Sequence, residues 1–172
     1  PLDSSVEEDA DTLNKLSYFR GIADSKYFSK FGYSLDTVLA RSKIIFTDIT
    51  SFGKKQGEDT LGNLLSDSYI YAVKKAEGKD YEDVDVAVVP SGIVRASLPL
   101  GNITAADAFN VLSLGTGADG TPGYPLVSMY LTGKELKALA EVDATVSDMM
   151  PEARLYISGM SYTINSSRLI LN

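Results

Sequence analysis

Between residues 59 and 100 three short runs decide the architecture: Asp59-Thr60-Leu61-Gly62-Asn63-Leu64-Leu65, Val84-Asp85-Val86-Ala87-Val88-Val89 and Pro90-Ser91-Gly92-Ile93-Val94-Arg95. Asp59 or Thr60 can each cap a helix that runs to about Glu77, just before Gly78. Leu61, Leu64, Leu65, Ser68 and Ala72 mark its buried stripe, and Gly62 in that helix permits close backbone packing. The second run is apolar apart from Asp85, as expected of a central strand covered on both faces. The third run is a turn that sets Arg95 beyond the carboxyl end of that strand, where open α/β sheets leave a crevice for a ligand. A guanidinium there offers five donors and a permanent charge, suited to bidentate binding of phosphate or carboxylate. Arg95 is therefore the leading candidate for function.

Working outward, Leu16, Phe19, Ile22, Tyr27, Phe28 and Phe31 recur at near-helical spacing, which predicts one or two helices over Leu13–Phe31 that end at Gly32. Val38, Leu39, Ile44, Ile45, Phe46 and Ile49 predict a strand within Thr37–Ile49, followed by a loop over Ser51–Gly57. Thr104 with Asp107 three residues later forms a capping-box pattern for a short helix to about Leu112. Leu126–Leu131 reads as a further strand, and Thr132 caps a helix from Gly133 to about Val142. Leu155–Ile157, Tyr162–Ile164 and Leu169–Leu171 read as a closing strand meander. The last of these ends inside a strand pattern, which points to truncation. Helices and strands alternate first and strands cluster later, so the fold class is α/β or α+β in layers.

Composition narrows the chemistry. The 172 residues suffice for one cored domain with an appendage, and no apolar run approaches the ~18 residues of a membrane helix. With 16 basic against 23 acidic residues the net charge is -7, which disfavours nucleic acid, and the pairs Lys54-Lys55 and Lys74-Lys75 read as solvated side chains. There is no cysteine and no histidine, which removes thiolate nucleophiles, the commonest general base and the usual transition-metal ligands. The acidic run Glu7, Glu8, Asp9, Asp11 lacks the spacing of known calcium loops and reads as a solvated helix start or linker. Glu82, Asp83 and Asp85 likewise read as a solvated lead into their strand.

Thr60–Leu64, the turn ending in Arg95, Gly101-Asn102-Ile103-Thr104 leading into a helix, and Leu131-Thr132-Gly133-Lys134-Glu135-Leu136 occur in an order that resembles the carboxy-terminal domain of the 5'-nucleotidase family, over roughly Leu35–Asn172. The resemblance implies a layered α/β/β/α domain with mixed sheets, here incomplete at its carboxyl end, spanning residues 35–172. Residues 1–34 would be an acidic helical linker to an amino-terminal metallophosphatase domain. In that family the other domain carries the divalent metals on histidines, aspartates and an asparagine, so this segment itself would hold no metal and hydrolyse nothing alone. Its partners would be a nucleotide or other phosphorylated small molecule and the metallophosphatase domain of the same chain. Family members are commonly exported, which implies an extracytoplasmic location.

Residue by residue, the resemblance carries over Arg95 as the contact to the substrate's anionic group, together with the turn residues Ser91 and Gly92. It departs where the family reads Asn-Gly-Gly-Gly-Ile-Arg: Pro90 replaces the base-holding asparagine and Ile93 a glycine. Leu114 stands where the family has a phenylalanine that stacks on the nucleobase. The Gly- and Pro-rich insertion Gly117–Pro125 after it carries Tyr124, either as part of a surface turn or as a replacement for the lost ring. No second stacking aromatic of the Gly-Gly-Asp-Gly type follows Leu171. Asn63 matches the family's Leu-Gly-Asn-Leu, on the substrate side of the domain, and equally suits a local hydrogen bond near a helix end. These departures leave two functional expectations: a substrate-recognition domain of a two-domain phosphoesterase, or a non-catalytic binding or surface-interaction module that kept the fold and lost nucleotide specificity.

Overall fold

The computed structural model of the chain describes residues 6–120 and 122–165. Within them the chain is an α/β domain with α1 (Ala10–Lys26), β1 (Val38–Ser42), α2 (Thr60–Glu77), β2 (Ala87–Pro90), β3 (Gly101–Thr104), α3 (Ala105–Val111), α4 (Gly133–Val146) and β4 (Leu155–Ser158). Both described sheets are antiparallel pairs, β1 with β3 and β2 with β4.

The helix starts follow from side-chain chemistry. Asp59 accepts from the amides of Leu61 (2.9 Å) and Gly62 (3.0 Å), donors that a helix leaves unpaired in its first turn. Thr104 with Asp107 and Thr132 with Glu135 form complete capping boxes. The Thr132 amide and hydroxyl both donate to the Glu135 carboxylate and hold it below its ordinary range.

Helix α2 turns Leu61, Gly62, Leu65 and Ser66 inward and lies across β2 and β4. Leu61 and Leu65, but not the exposed Leu64, join Phe46, Phe52, Val89, Val94, Ile103, Val111 and Tyr156 in the core, where Phe52 stacks on Tyr156 with ring centroids 4.6 Å apart. The Tyr156 ring lies directly on Gly62, so the glycine serves close packing, against a ring and not against the backbone expected from the sequence. A methyl group there would overlap the ring, and Gly62→Ala should destabilise the domain by about 1–3 kcal/mol, although alanine is the better helix former. A denaturant midpoint equal to or above that of the parent would show that the ring is free to move aside.

Helix α1 buries no residue; Leu16, Tyr18 and Phe19 are all more than half exposed. Arg20 pairs with Asp36 (2.6 Å), and Asp24 accepts from the Leu35 amide (2.6 Å). Tyr27, Phe28 and Phe31 just beyond it cluster edge-on, the first two also against Phe109 of α3. Asp9 of the acidic run caps α1 through the Thr12 amide.

Several strand expectations shrink. Within Thr37–Ile49 only Val38–Ser42 pairs, because the Ser42 hydroxyl bonds both the amide and the carbonyl of Ile44, and Asp48 takes the Thr50 amide in a second local turn. β2 begins at Ala87 rather than Val84, and its described ladder neighbour is β4 alone, so it is not central among the described strands. Leu126–Leu131 is no strand: it finds no ladder among the described residues and leaves Val127, Met129 and Tyr130 exposed. Tyr162–Ile164 also has no ladder partner among the described residues, and Leu169–Leu171 lies outside them. Conversely, Gly101–Thr104 is a strand, supplied by pairing with β1 and not by its own composition.

Candidate functional site: a cavity beside Arg95

Beyond β2 the chain makes a 3-10 turn, Ser91–Ile93, and its clamp explains the position of Arg95. The Ser91 amide donates to the Arg154 carbonyl (2.8 Å) and the Ser91 hydroxyl to the Pro151 carbonyl (2.6 Å). A Cβ on Gly92 would meet the Glu152 carbonyl at 2.9 Å. Ser91 and Gly92, expected at the ligand, are thus occupied in packing the turn against Pro151–Ala153. Val94 is buried, and the Arg95 amide donates to the Val111 carbonyl (2.8 Å), which ties the turn to the end of α3. The Arg95 side chain is exposed and has no hydrogen-bond or ion-pair partner among the described residues. A fixed backbone carrying an unspent guanidinium is what an anion site requires.

Ile93, two residues before it, lines a cavity of about 270 Å³. Ser68, Tyr69 and Ala72 of α2 form one wall, Leu112 and Leu114 another, and Gly123, Tyr124 and Leu126 the third. The insertion folds back on itself: Thr116 bridges to Pro122, and the Gly123 amide donates to the Gly115 carbonyl (3.0 Å). This return lays the Tyr124 ring over Gly115, whose φ of 84° and lack of a side chain both suit glycine; a Cβ there would lie 2.6 Å from the ring. Leu114 and Tyr124, far apart in kind, therefore line one cavity with Ile93, and Arg95 follows Ile93 by two positions in the chain. Burial pushes the Tyr69 phenol above its ordinary range, so it remains protonated at neutral pH.

Asn63 is not part of this group. It lines a second cavity of about 280 Å³ with Gln56, Glu58, Tyr156 and Tyr162, and its amide donates to the Glu58 carboxylate (2.6 Å). Behind that cavity lies a polar network the sequence did not disclose. Asp143 of α4 is fully buried and accepts from the Leu155 amide (2.7 Å), the Gln56 amide (2.9 Å) and the Tyr162 hydroxyl (3.4 Å). Arg154, 2% exposed, donates to the Gly53 carbonyl (3.3 Å) and to Asp148 (3.3 Å). Burial and then the Asp143 charge push the Tyr162 phenol up, against an opposing pull from Arg154. The available signal was spacing: Leu136, Ala140, Asp143 and Ser147 follow one helical stripe whose last three members are buried. Among the described residues no three acidic side chains converge as a metal site would need, and no helix is long and apolar enough to cross a membrane.

A family model described as 5'-nucleotidase, C-terminal domain, matches residues 37–170. A 5'-nucleotidase-related protein of Glossina morsitans morsitans is 31% identical over 176 residues, covering 99% of this chain and 28% of the relative. The trifunctional nucleotide phosphoesterase protein YfkN of Bacillus subtilis (strain 168) is 25% identical over 167 residues, covering 95% of this chain and 10% of the relative. No solved structure matches.

Proposed function

Since the chain belongs to the family of 5'-nucleotidase carboxy-terminal domains, we propose that it is the substrate-recognition domain of a two-domain metallophosphoesterase acting on nucleotides or related phosphorylated metabolites. The observation that supports this reading is the exposed Arg95 guanidinium, without a partner among the described residues, two positions along the chain from Ile93 of an apolar cavity: one group for an anionic end, the other for the body of the ligand. The chain spans about a quarter or less of the length of the curated relatives it matches, so room exists in such proteins for a catalytic partner. That partner, an amino-terminal metallophosphatase domain, would bring divalent metals that activate water for attack on phosphorus. Residues 1–34, with the uncovered α1, would form the linker to it. By the habit of the family the whole protein would work outside the cytoplasm.

The second reading, a non-catalytic binding or surface-interaction module, is favoured by Pro90 and Leu114, which stand at the positions of the family's base-holding asparagine and stacking phenylalanine. Phosphate release separates the two. The isolated chain, which has no histidine, should release no phosphate from nucleoside monophosphates with any divalent metal, while the full-length protein should do so. Metal-dependent release by the contaminant-free fragment would place catalysis in this domain, and a full-length protein that releases none would leave the binding module.

A further inference from the structure

Three backbone segments meet beneath the turn that carries Arg95, around Gly53, Ser91 and Pro151. A Cβ placed on Gly53 would lie 2.7 Å from the Pro151 carbonyl oxygen and 3.0 Å from the Ser91 hydroxyl oxygen, so the glycine backbone rests against both. Two side chains hold that glycine from opposite sides of its residue. Arg154 Nε donates to the Gly53 carbonyl (3.3 Å), and the Gly53 amide donates to the Tyr156 hydroxyl (3.1 Å). Arg154 is a costly residue for packing alone. Its side chain is 2% exposed, its one carboxylate partner, Asp148, is itself 70% exposed, and its Nη1 has no partner among the described residues. An apolar side chain of similar volume in place of such a buried charge is often neutral or stabilising. What it could not do is fix the direction of the Gly53 carbonyl.

Resting on the reading of Arg95 as the anion contact, we infer that Arg154 is a positioning residue for that contact: its guanidinium seats Gly53, Gly53 seats Ser91, and Ser91 sets where Arg95 leaves the turn. The last link is covalent and hydrogen-bonded. The Val94 amide donates to the Ser91 carbonyl (3.0 Å) and the Arg95 amide to the Val111 carbonyl (2.8 Å), so the turn hangs between the Gly53–Ser91 contact and α3. A displaced Ser91 therefore tilts the backbone at Arg95, and a bidentate contact to an anion tolerates little misplacement. Arg154, being buried, acts only through these neighbours.

A double-mutant cycle read by calorimetry tests this, with AMP binding to the full-length protein in a chelator so that the ester is not consumed. Arg154→Met, which removes the donors and the charge and keeps most of the volume, should weaken AMP about three- to tenfold when Arg95 is present and by less than about 1.5-fold after Arg95→Ala. Arg154→Lys, which can still donate to the Gly53 carbonyl, should recover part of the loss. Tyr156→Phe removes the acceptor of the Gly53 amide and keeps the stacked ring; it should show the same dependence on Arg95, and it decides the question should Arg154→Met fail to fold. Equal losses in both Arg95 backgrounds, or AMP affinity unchanged in these variants, would make Arg154 a residue of the fold only and overturn the inference, as would no AMP binding at all. Phosphate release from AMP by the metal-loaded wild type is measured in parallel. Release without coupling removes the positioning role alone; no release with Arg95-dependent coupling removes the hydrolase reading alone.

Discussion

Asp143→Ala is expected to cost about 3–5 kcal/mol of stability, the largest effect of any single substitution considered for this chain. The variant leaves the part-buried Leu155 amide without its acceptor, at a cost of about 1–3 kcal/mol, while the exposed Gln56 amide can turn to water. It also takes the negative charge away from a region in which Arg154 stays buried, its Nη1 already without a partner. Domains hold only about 5–15 kcal/mol in total, so the variant should lie near the edge of folding. Asp143→Asn keeps an acceptor for Leu155 while turning a donor toward Gln56 or Tyr162, and should lose roughly half as much. Urea unfolding of both variants decides the matter. A cost below about 1 kcal/mol for the alanine variant would mean that water already satisfies these groups.

Arg95→Ala should act on the other property, ligand affinity. A charge-assisted contact to an anion contributes about 1.5–3 kcal/mol, so KM of the full-length protein for a nucleoside monophosphate should rise about ten- to a hundredfold. The melting temperature should hardly move, since the exposed guanidinium makes no hydrogen bond or ion pair to a described residue and such surface changes stay within about 0.5 kcal/mol. Unchanged KM with a large fall in melting temperature would make Arg95 a structural residue and relocate the site.

What the sequence disclosed was local chemistry. Asp59, Thr104 and Thr132 announce their helices because a cap bonds within three residues of itself, and Gly62 announces close packing because a glycine inside a helix needs a reason. The turn that precedes Arg95 was legible from Gly92, and the approach of Tyr124 to Leu114 from the place of the insertion. What stayed hidden depends on partners distant in the chain. Gly101–Thr104 has little strand character until β1 lies beside it, and Leu126–Leu131 has ample strand character but no described ladder. Asp143 reads as a surface acid until α4 is rotated against β4. Ser91 and Gly92 looked like ligand contacts because their neighbour does, whereas Pro151 and Glu152 claim them.

Both sheets are closed by remote segments: Val38 pairs with Thr104 and Ala87 with Ser158, and neither sheet contains a hairpin. Loop-closure entropy has to be overcome before such pairings return any stabilisation, so capped helices can form well ahead of the sheets they cover. On a chain emerging from the ribosome, β2 has no described partner until Leu155–Ser158 has been made, and the Ser91 turn lacks its clamp until Pro151 and Arg154 arrive. The turn that carries Arg95 is consequently among the last features to be assembled, and a nascent domain exposes its core helix and unpaired strand for most of its synthesis.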